Sequence, residues 1–234
     1  MSELKNGPFF AKLVDSNDLN EKVIDPLAYT TGRELGKFAD IIDLEPLHTF
    51  GKIRGMPSHV TLEGEELANA RKVNYKQVDN STGFYSPVPL NRNDDSYSGR
   101  QLLPGTIVIG RMRPYLNNTI VIDPDFTGTT TIVSDSEWQV FEPKDNLHYF
   151  WAMILRTNNV LRQFSITRGQ TRPRLHEDDL RQISVPSIPK DKRAEIDEYR
   201  RGLFQSLQGI EREITDSARK MDDYLDNDGP LPDF

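Results

Sequence analysis

The chain has 234 residues, 36% hydrophobic and 28% charged, enough for one well-buried core with an appendage and cramped for two full domains. With no cysteine it has no disulfide framework, no thiolate metal site and no cysteine nucleophile. Its net charge of −7 runs against a simple nucleic-acid binder, because phosphate contacts ordinarily leave a basic footprint.

Residues 1–50 mix polar stretches with short apolar ones, and Ile24–Tyr29 and Leu44–Leu47 read as extended chain around Pro26 and Pro46. Met1–Asn6 carries no charged-then-apolar leader, and no apolar run approaches the roughly 20 residues that span a bilayer, so a soluble cytoplasmic protein without membrane contact is expected. From Lys72 to Val78 the alternation is strand-like, Ser81-Thr82-Gly83 is a turn, and Asn91–Ser96 is a polar loop. Strands are then expected at Thr106–Ile109, Thr119–Ile122, Thr129–Val133 and Glu137–Phe141, each β-branched or aromatic and bounded by turn residues.

The period changes over residues 146–163, where Leu147, Phe150, Trp151, Ile154 and Leu155 fall at helical spacing, with Asp145 or Asn146 placed to cap the first turn. An aromatic stripe of this kind is core far more often than a ligand platform. After a turn at Glu177–Asp179 comes the strand Ile183–Pro186, and the mixture is α+β. A final helix runs from about Pro189 to about Leu225. Positions seven apart read Ile196, Leu203, Ile210, Ser217 and Tyr224, and the set four later reads Arg200, Leu207, Ile214 and Met221, an imperfect coiled-coil seam. Gly202 and Gly209 lie beside this seam, either because another backbone approaches closely or as tolerated drift. The expected organisation is a β-rich domain over 1–188, a long coiled-coil-forming helix over 189–226 and a tail over 227–234.

The charge is unevenly spread. Residues 1–50 carry 5 Lys/Arg against 9 Asp/Glu and residues 191–234 carry 7 against 12, so the middle of the chain is slightly positive. Arg156, Arg162, Arg168, Arg172 and Arg174 fall in a stretch with no acid, and arginine's planar fork suits bidentate contact with phosphate or guanine. The plainer reading is a solvated helix face running into a loop.

Catalytic signatures are sparse. There is no Gly-rich phosphate loop, no Gly-x-Ser-x-Gly elbow and no His-Glu-x-x-His pair, and His48, His59, His148 and His176 lack ligand spacing. Neither the Asn/Asp-Pro-Pro-aromatic motif of amino-methyltransferases nor an adenosyl-cofactor glycine loop occurs. One pattern needs an answer: Asp125 with Glu142 and Lys144 spells the carboxylates and lysine of a metal-dependent nuclease. Pro143 between the last two favours a strand end over the central strand such a site requires.

Taken together, Ile24–Tyr29, Leu103–Leu116, Ser134–Phe141, Gly169–Leu175 and Ile183–Pro189, in this order and followed by the heptad helix, resemble one half of the specificity subunit of Type I restriction-modification systems. The resemblance covers most of residues 24–225. It implies a target recognition domain followed by one spacer helix, where full-length subunits carry two of each. It implies a protein that is not an enzyme and needs no cofactor or metal, and that reads a half-site in double-stranded DNA while DNA adenine methyltransferase and restriction subunits supply the chemistry. Carried onto this chain, DNA contacts fall on Arg111, Arg113, Tyr115, Arg168, Gln170, Thr171, Arg172 and Arg174, with Gln170 suited to adenine and an arginine to guanine. The apolar seam Ile196, Leu203, Leu207, Ile210, Ile214 and Met221 lacks an intramolecular mate, so a homodimer or pairing with a second half-specificity subunit is implied. Two other classes stay open: a nuclease using Asp125, Glu142 and Lys144, and an acidic interaction or decoy protein without DNA affinity.

Overall fold

The computed structural model describes residues 43–91, 95–123, 130–164 and 173–227. The chain divides between Ile188 and Pro189 into two compact units. The architecture is α+β.

The first unit is built around a four-stranded antiparallel sheet, β2 (Gly51–Arg54), β10 (Trp138–Pro143), β7 (Thr106–Gly110) and β8 (Thr119–Ile122), in that spatial order. Every residue of β7 and β8 is buried, which is why both read as unbroken apolar runs: the sheet is covered on both faces. On one face, α3 (His148–Leu155) packs across β7, β8 and β10. Its Trp151 sits among Phe50, Phe141 and Phe150, with ring centroids 4.7, 6.1 and 4.9 Å away. On the other face Val108, Ile120, Ile122, Trp138 and Val140 meet Val73, Leu102 and Ile132 of a second layer.

That second layer is a five-stranded sheet in the order β3 (His59–Glu63), β6 (Ser96–Leu102), β9 (Ile132–Ser134), β4 (Arg71–Lys72) and β5 (Val88–Pro89). All its pairings are antiparallel except β4 with β9. Its outer face is closed by α2 (Gly64–Asn69), through Leu62, Leu67, Ala70, Leu90 and Val133. A short pair, β1 (Leu44–Pro46) with β11 (Ser184–Pro186), joins the start of the described chain to the end of the unit, and the single helical turn α1 (Leu47–Phe50) leads from β1 into β2.

Local side-chain bonding, which periodicity does not see, accounts for several differences from the sequence expectation. Lys72–Val78 is not a strand: after β4 the amide of Asn74 donates to Gln77 Oε1 and the pair closes a capping box around a 3-10 turn at Tyr75–Gln77. The helix expected over 146–163 is two, α3 and α4 (Asn158–Phe164), because the Thr157 hydroxyl takes the Ile154 carbonyl and ends the first. Neither expected capping residue sits at the N-cap of α3, a place held by Leu147, although Asp145 Oδ1 accepts from the Leu147 amide and from Trp151 Nε1. The acidic turn 177–179 is a short helix, α5 (Glu177–Arg181), capped reciprocally by His176 and Asp179. Residues 51–71 and 96–102 hold β2, β3, α2 and β6, elements absent from the sequence reading.

The second unit is one helix, α6 (Lys190–Asn227), of 38 residues and about 57 Å at 1.5 Å per residue. The amide of Arg193 bonds the Pro189 carbonyl, so the proline stands just before the first turn, where it costs no hydrogen bond.

Candidate nucleic-acid interface

Antiparallel pairing of β7 with β10 puts Gly110 opposite Trp138, so Arg111 emerges beside Glu137 at one end of the four-stranded sheet. The Arg111 amide bonds the Glu137 carbonyl at 2.9 Å, and the Tyr75 hydroxyl donates to the same carbonyl while accepting from the amides of Arg111 and Met112. Burial is the main reason the Tyr75 phenol titrates above its ordinary range. The ring is held edge-on to Trp138 at 4.8 Å, and the Trp138 indole donates to Ser134 Oγ. Gly110 is required here, because a Cβ would lie 2.7 Å from that of Asn118.

The segment Pro173–His176 closes on the same place. Met112 pairs with Arg174, the Arg113 amide bonds the Pro173 carbonyl at 3.0 Å, and the Leu175 amide bonds the Arg111 carbonyl at 2.8 Å. The two segments singled out in the sequence, the turn after β7 and the foot of the arginine-rich stretch, therefore stand side by side. A third contributor, the 55–58 loop, lies beside them: Met56 Sδ is 3.3 Å from Arg111 Nη1, and Arg100 donates to the Pro57 carbonyl at 2.7 Å.

Individual arginines differ sharply in what they are free to do. Arg111, only 17% exposed, donates to the Leu175 carbonyl, contacts Glu137 at 3.5 Å and meets His176 Nδ1 at 3.2 Å. Arg174 makes a forked contact with Glu137 through Nε and Nη2. The Arg174 guanidinium is the chief reason the Glu137 carboxyl titrates below its usual range, against a smaller opposing effect of burial. Arg156 is structural as well: its Nη1 donates to the carbonyls of Asn117 and Thr119 and its Nη2 to that of Asn80. Arg156 and Arg174, at the two ends of the acid-free stretch, are thus both engaged within the protein. Arg168, Gln170, Thr171 and Arg172 lie outside the described residues, as do Ile24–Tyr29, Asp125 and the tail beyond Asn227.

Arg113 and Tyr115 stand differently. Arg113 is exposed and no hydrogen bond or ion pair of its side chain occurs among the described residues; Tyr115 is 51% exposed. They belong to a 3-10 turn, Pro114–Leu116, flanked by left-handed Arg113 (φ 50°) and Asn117 (φ 60°). Asparagine tolerates this region; for arginine it costs about 1–3 kcal/mol, held in place by the surrounding bonds.

Glu142 pairs with Arg54 at 2.8 Å and Lys144 Nζ donates to the Thr49 carbonyl, so these two side chains are engaged with the protein rather than with each other. Among the described residues no group of three His, Asp or Glu side chains is arranged to hold a metal ion, and no helix is long and apolar enough to cross a membrane. On α6, Leu203, Leu207, Ile210 and Ile214 are between 40% and 64% exposed, Ile196 and Met221 are partly exposed, and Tyr199, absent from the expected seam, is 68% exposed.

Glu137 and Tyr75 help organise this end of the molecule and were not singled out from the sequence, whereas Arg156 was singled out as one cation of an acid-free stretch and not as the brace it is. Aligning the apolar runs of β7 and β10 as an antiparallel pair would have set Arg111 against Glu137, a cation opposite an anion. No comparable signal points to the bracing role of Arg156, whose acceptors are backbone carbonyls.

No family model matches the sequence, and no curated protein does. Among solved structures, the chain is similar to one from work on the structural basis of complex assembly and conformational transition of the type I R-M system, with TM-score 0.48 and 14% identity over 82% of this chain and 50% of that one. It is also similar to the HsdS subunit from Thermoanaerobacter tengcongensis, with TM-score 0.46 and 16% identity over 78% of this chain and 46% of that one. The chain spans about half the length of each.

Proposed function

We propose that the protein is a non-catalytic, sequence-specific DNA-recognition subunit of a Type I-like restriction-modification or related defence system, working in the cytoplasm. The observation that carries this reading is the convergence of the 111–116 turn and the 173–176 segment on one end of the sandwich, each bonded to the other's backbone. A reader of bases needs side chains held on a rigid support, and this end supplies one. Arg113 and Tyr115 are the described residues available for contact, and Arg168, Gln170, Thr171 and Arg172, which precede Pro173 in the sequence, are the further candidates. Arg174 reaches DNA only by leaving Glu137 or sharing it. DNA adenine methyltransferase and restriction subunits would be the partners that carry out chemistry. The exposed stripe of α6 would pair with a second copy or with another half-specificity subunit, setting two recognition domains on a split site.

Selection from a random duplex pool, using the full chain alone and with such partner subunits, tests the reading. A split palindrome is expected for a homodimer and a split asymmetric site for a mixed pair. Affinity should fall with salt, and Arg113→Ala should lower the salt slope by about 1 if it contacts one phosphate. An empty selection in both settings would sink the DNA reading. It would favour the acidic interaction protein, a second reading supported by the net charge of −7 and by Glu137 occupying two of the described arginines.

A further inference from the structure

The turn at Pro114–Leu116 carries an exposed aromatic and an exposed leucine at its tip, Tyr115 at 51% and Leu116 at 42%, over a buried Pro114. Single exposed apolar residues need no explanation, but an adjacent pair on a turn held in a strained conformation does. The turn is braced from several directions. The Gly110 amide bonds the Asn118 carbonyl at 2.6 Å, the Arg113 amide bonds Pro173, and Arg156 holds the carbonyls of Asn117 and Thr119 while also gripping Asn80. Helix α4 packs against the turn from behind. The tip therefore has little room to yield when pressed.

We infer that Tyr115 and Leu116 form an apolar wedge that enters the base stack of duplex DNA at one step, with Arg113 on the flanking phosphate. The inference rests on the DNA-recognition reading and adds to it a mode of contact. A wedge needs an apolar tip, a base that resists displacement and a nearby cation to offset the phosphates drawn together at a kink; the tip, the bracing and Arg113 supply these. A protein partner could also cover a tyrosine and a leucine. DNA is favoured because Arg113, exposed and with no side-chain hydrogen bond or ion pair among the described residues, directly precedes the turn and is a cation placed to meet a phosphate. The wedge would also contribute to specificity, because pyrimidine–purine steps unstack more readily than others and would be preferred at the insertion point.

The experiment places 2-aminopurine in turn at each position of the duplex recovered by selection and titrates it with the full-length protein. A rise in fluorescence confined to one step is expected. Tyr115→Ala should abolish that rise and weaken binding by about tenfold, the scale of one lost aromatic–base stack, while Tyr115→Phe should keep both. Binding of the wild-type protein with no rise at any step overturns the wedge and leaves the DNA reading intact, as does a rise that survives Tyr115→Ala. Unchanged duplex affinity in Tyr115→Ala together with weaker capture of a methyltransferase subunit makes the tip a protein-docking site and also overturns it. No duplex binding at all removes both readings. Circular dichroism and thermal unfolding of each variant separate these outcomes from misfolding.

Discussion

The loop end of the first unit and the long helix of the second treat their conspicuous side chains in opposite ways. At the loop end, the charged groups are largely consumed inside the protein: Arg111 and Arg174 share Glu137, and Arg156 is given over to three carbonyls. On α6 the apolar groups at near-heptad spacing stand in solvent. Guanidinium groups find carboxylates and carbonyls wherever backbone ends converge, so counting arginines overstates a contact surface. A helix of 38 residues has no comparable local sink for leucine and isoleucine, and its stripe needs another surface to cover it.

The largest expected effect that tests this contrast is Arg156→Ala. It would leave three carbonyls without their donor and should cost about 2–4 kcal/mol in denaturant unfolding, whereas Arg113→Ala should stay within about 0.5 kcal/mol. Similar costs for the two would erase the distinction between spent and free arginines. Next, Ile210→Asp on the exposed stripe should weaken self-association or half-subunit pairing by tenfold or more, roughly 1.4 kcal/mol, read by sedimentation, with unchanged near-ultraviolet dichroism. Unaltered association would mean the stripe is not the pairing face.

Glu137→Gln should cost about 1 kcal/mol near neutral pH, since both ion pairs are partly solvent-exposed. The sign follows from a carboxyl whose folded value is depressed, principally by Arg174. Its stabilisation is present above the ordinary glutamate range near 4.3 and is lost as pH falls through the lower folded value. The gap between wild type and variant should therefore close on acidification below about pH 4, and a gap that widens there would contradict the assignment. The smallest effect is Gly209→Ala. An added Cβ meets nothing within 4 Å, so the helix should gain about 0.5–1 kcal/mol in thermal unfolding. A loss of pairing affinity in that variant would reveal a mate's backbone close to residue 209.

Legibility from sequence followed the range of the interactions involved. β7, β8, β10 and α6 were readable because each is a long run with one period or one composition. β4, the turn at Tyr75–Gln77 and the break between α3 and α4 were not, because Asn74, Gln77 and Thr157 bond the backbone locally and override the period. β2 and β6 escaped for another reason: Gly51, Ser96, Ser98 and Gly99 dilute their apolar pattern, and pairing with neighbours makes them strands. The candidate contact residues Arg111, Arg113, Tyr115 and Arg174 came from the family resemblance carried onto this chain, and nothing in residue type separates Arg111 from Arg113. One stands opposite Glu137 and the other stands past the strand end in a left-handed turn.

By itself the sequence determined the α+β class, the buried central strands and the long helix with its apolar stripe, because hydrophobic periodicity is a local property of the chain. Tertiary structure alone decided which arginines are spent and which are free. That depends on Glu137, Tyr75 and Pro173–His176 being brought from distant parts of the chain to the end of β7, and a guanidinium's availability is set by the acceptors within reach of it.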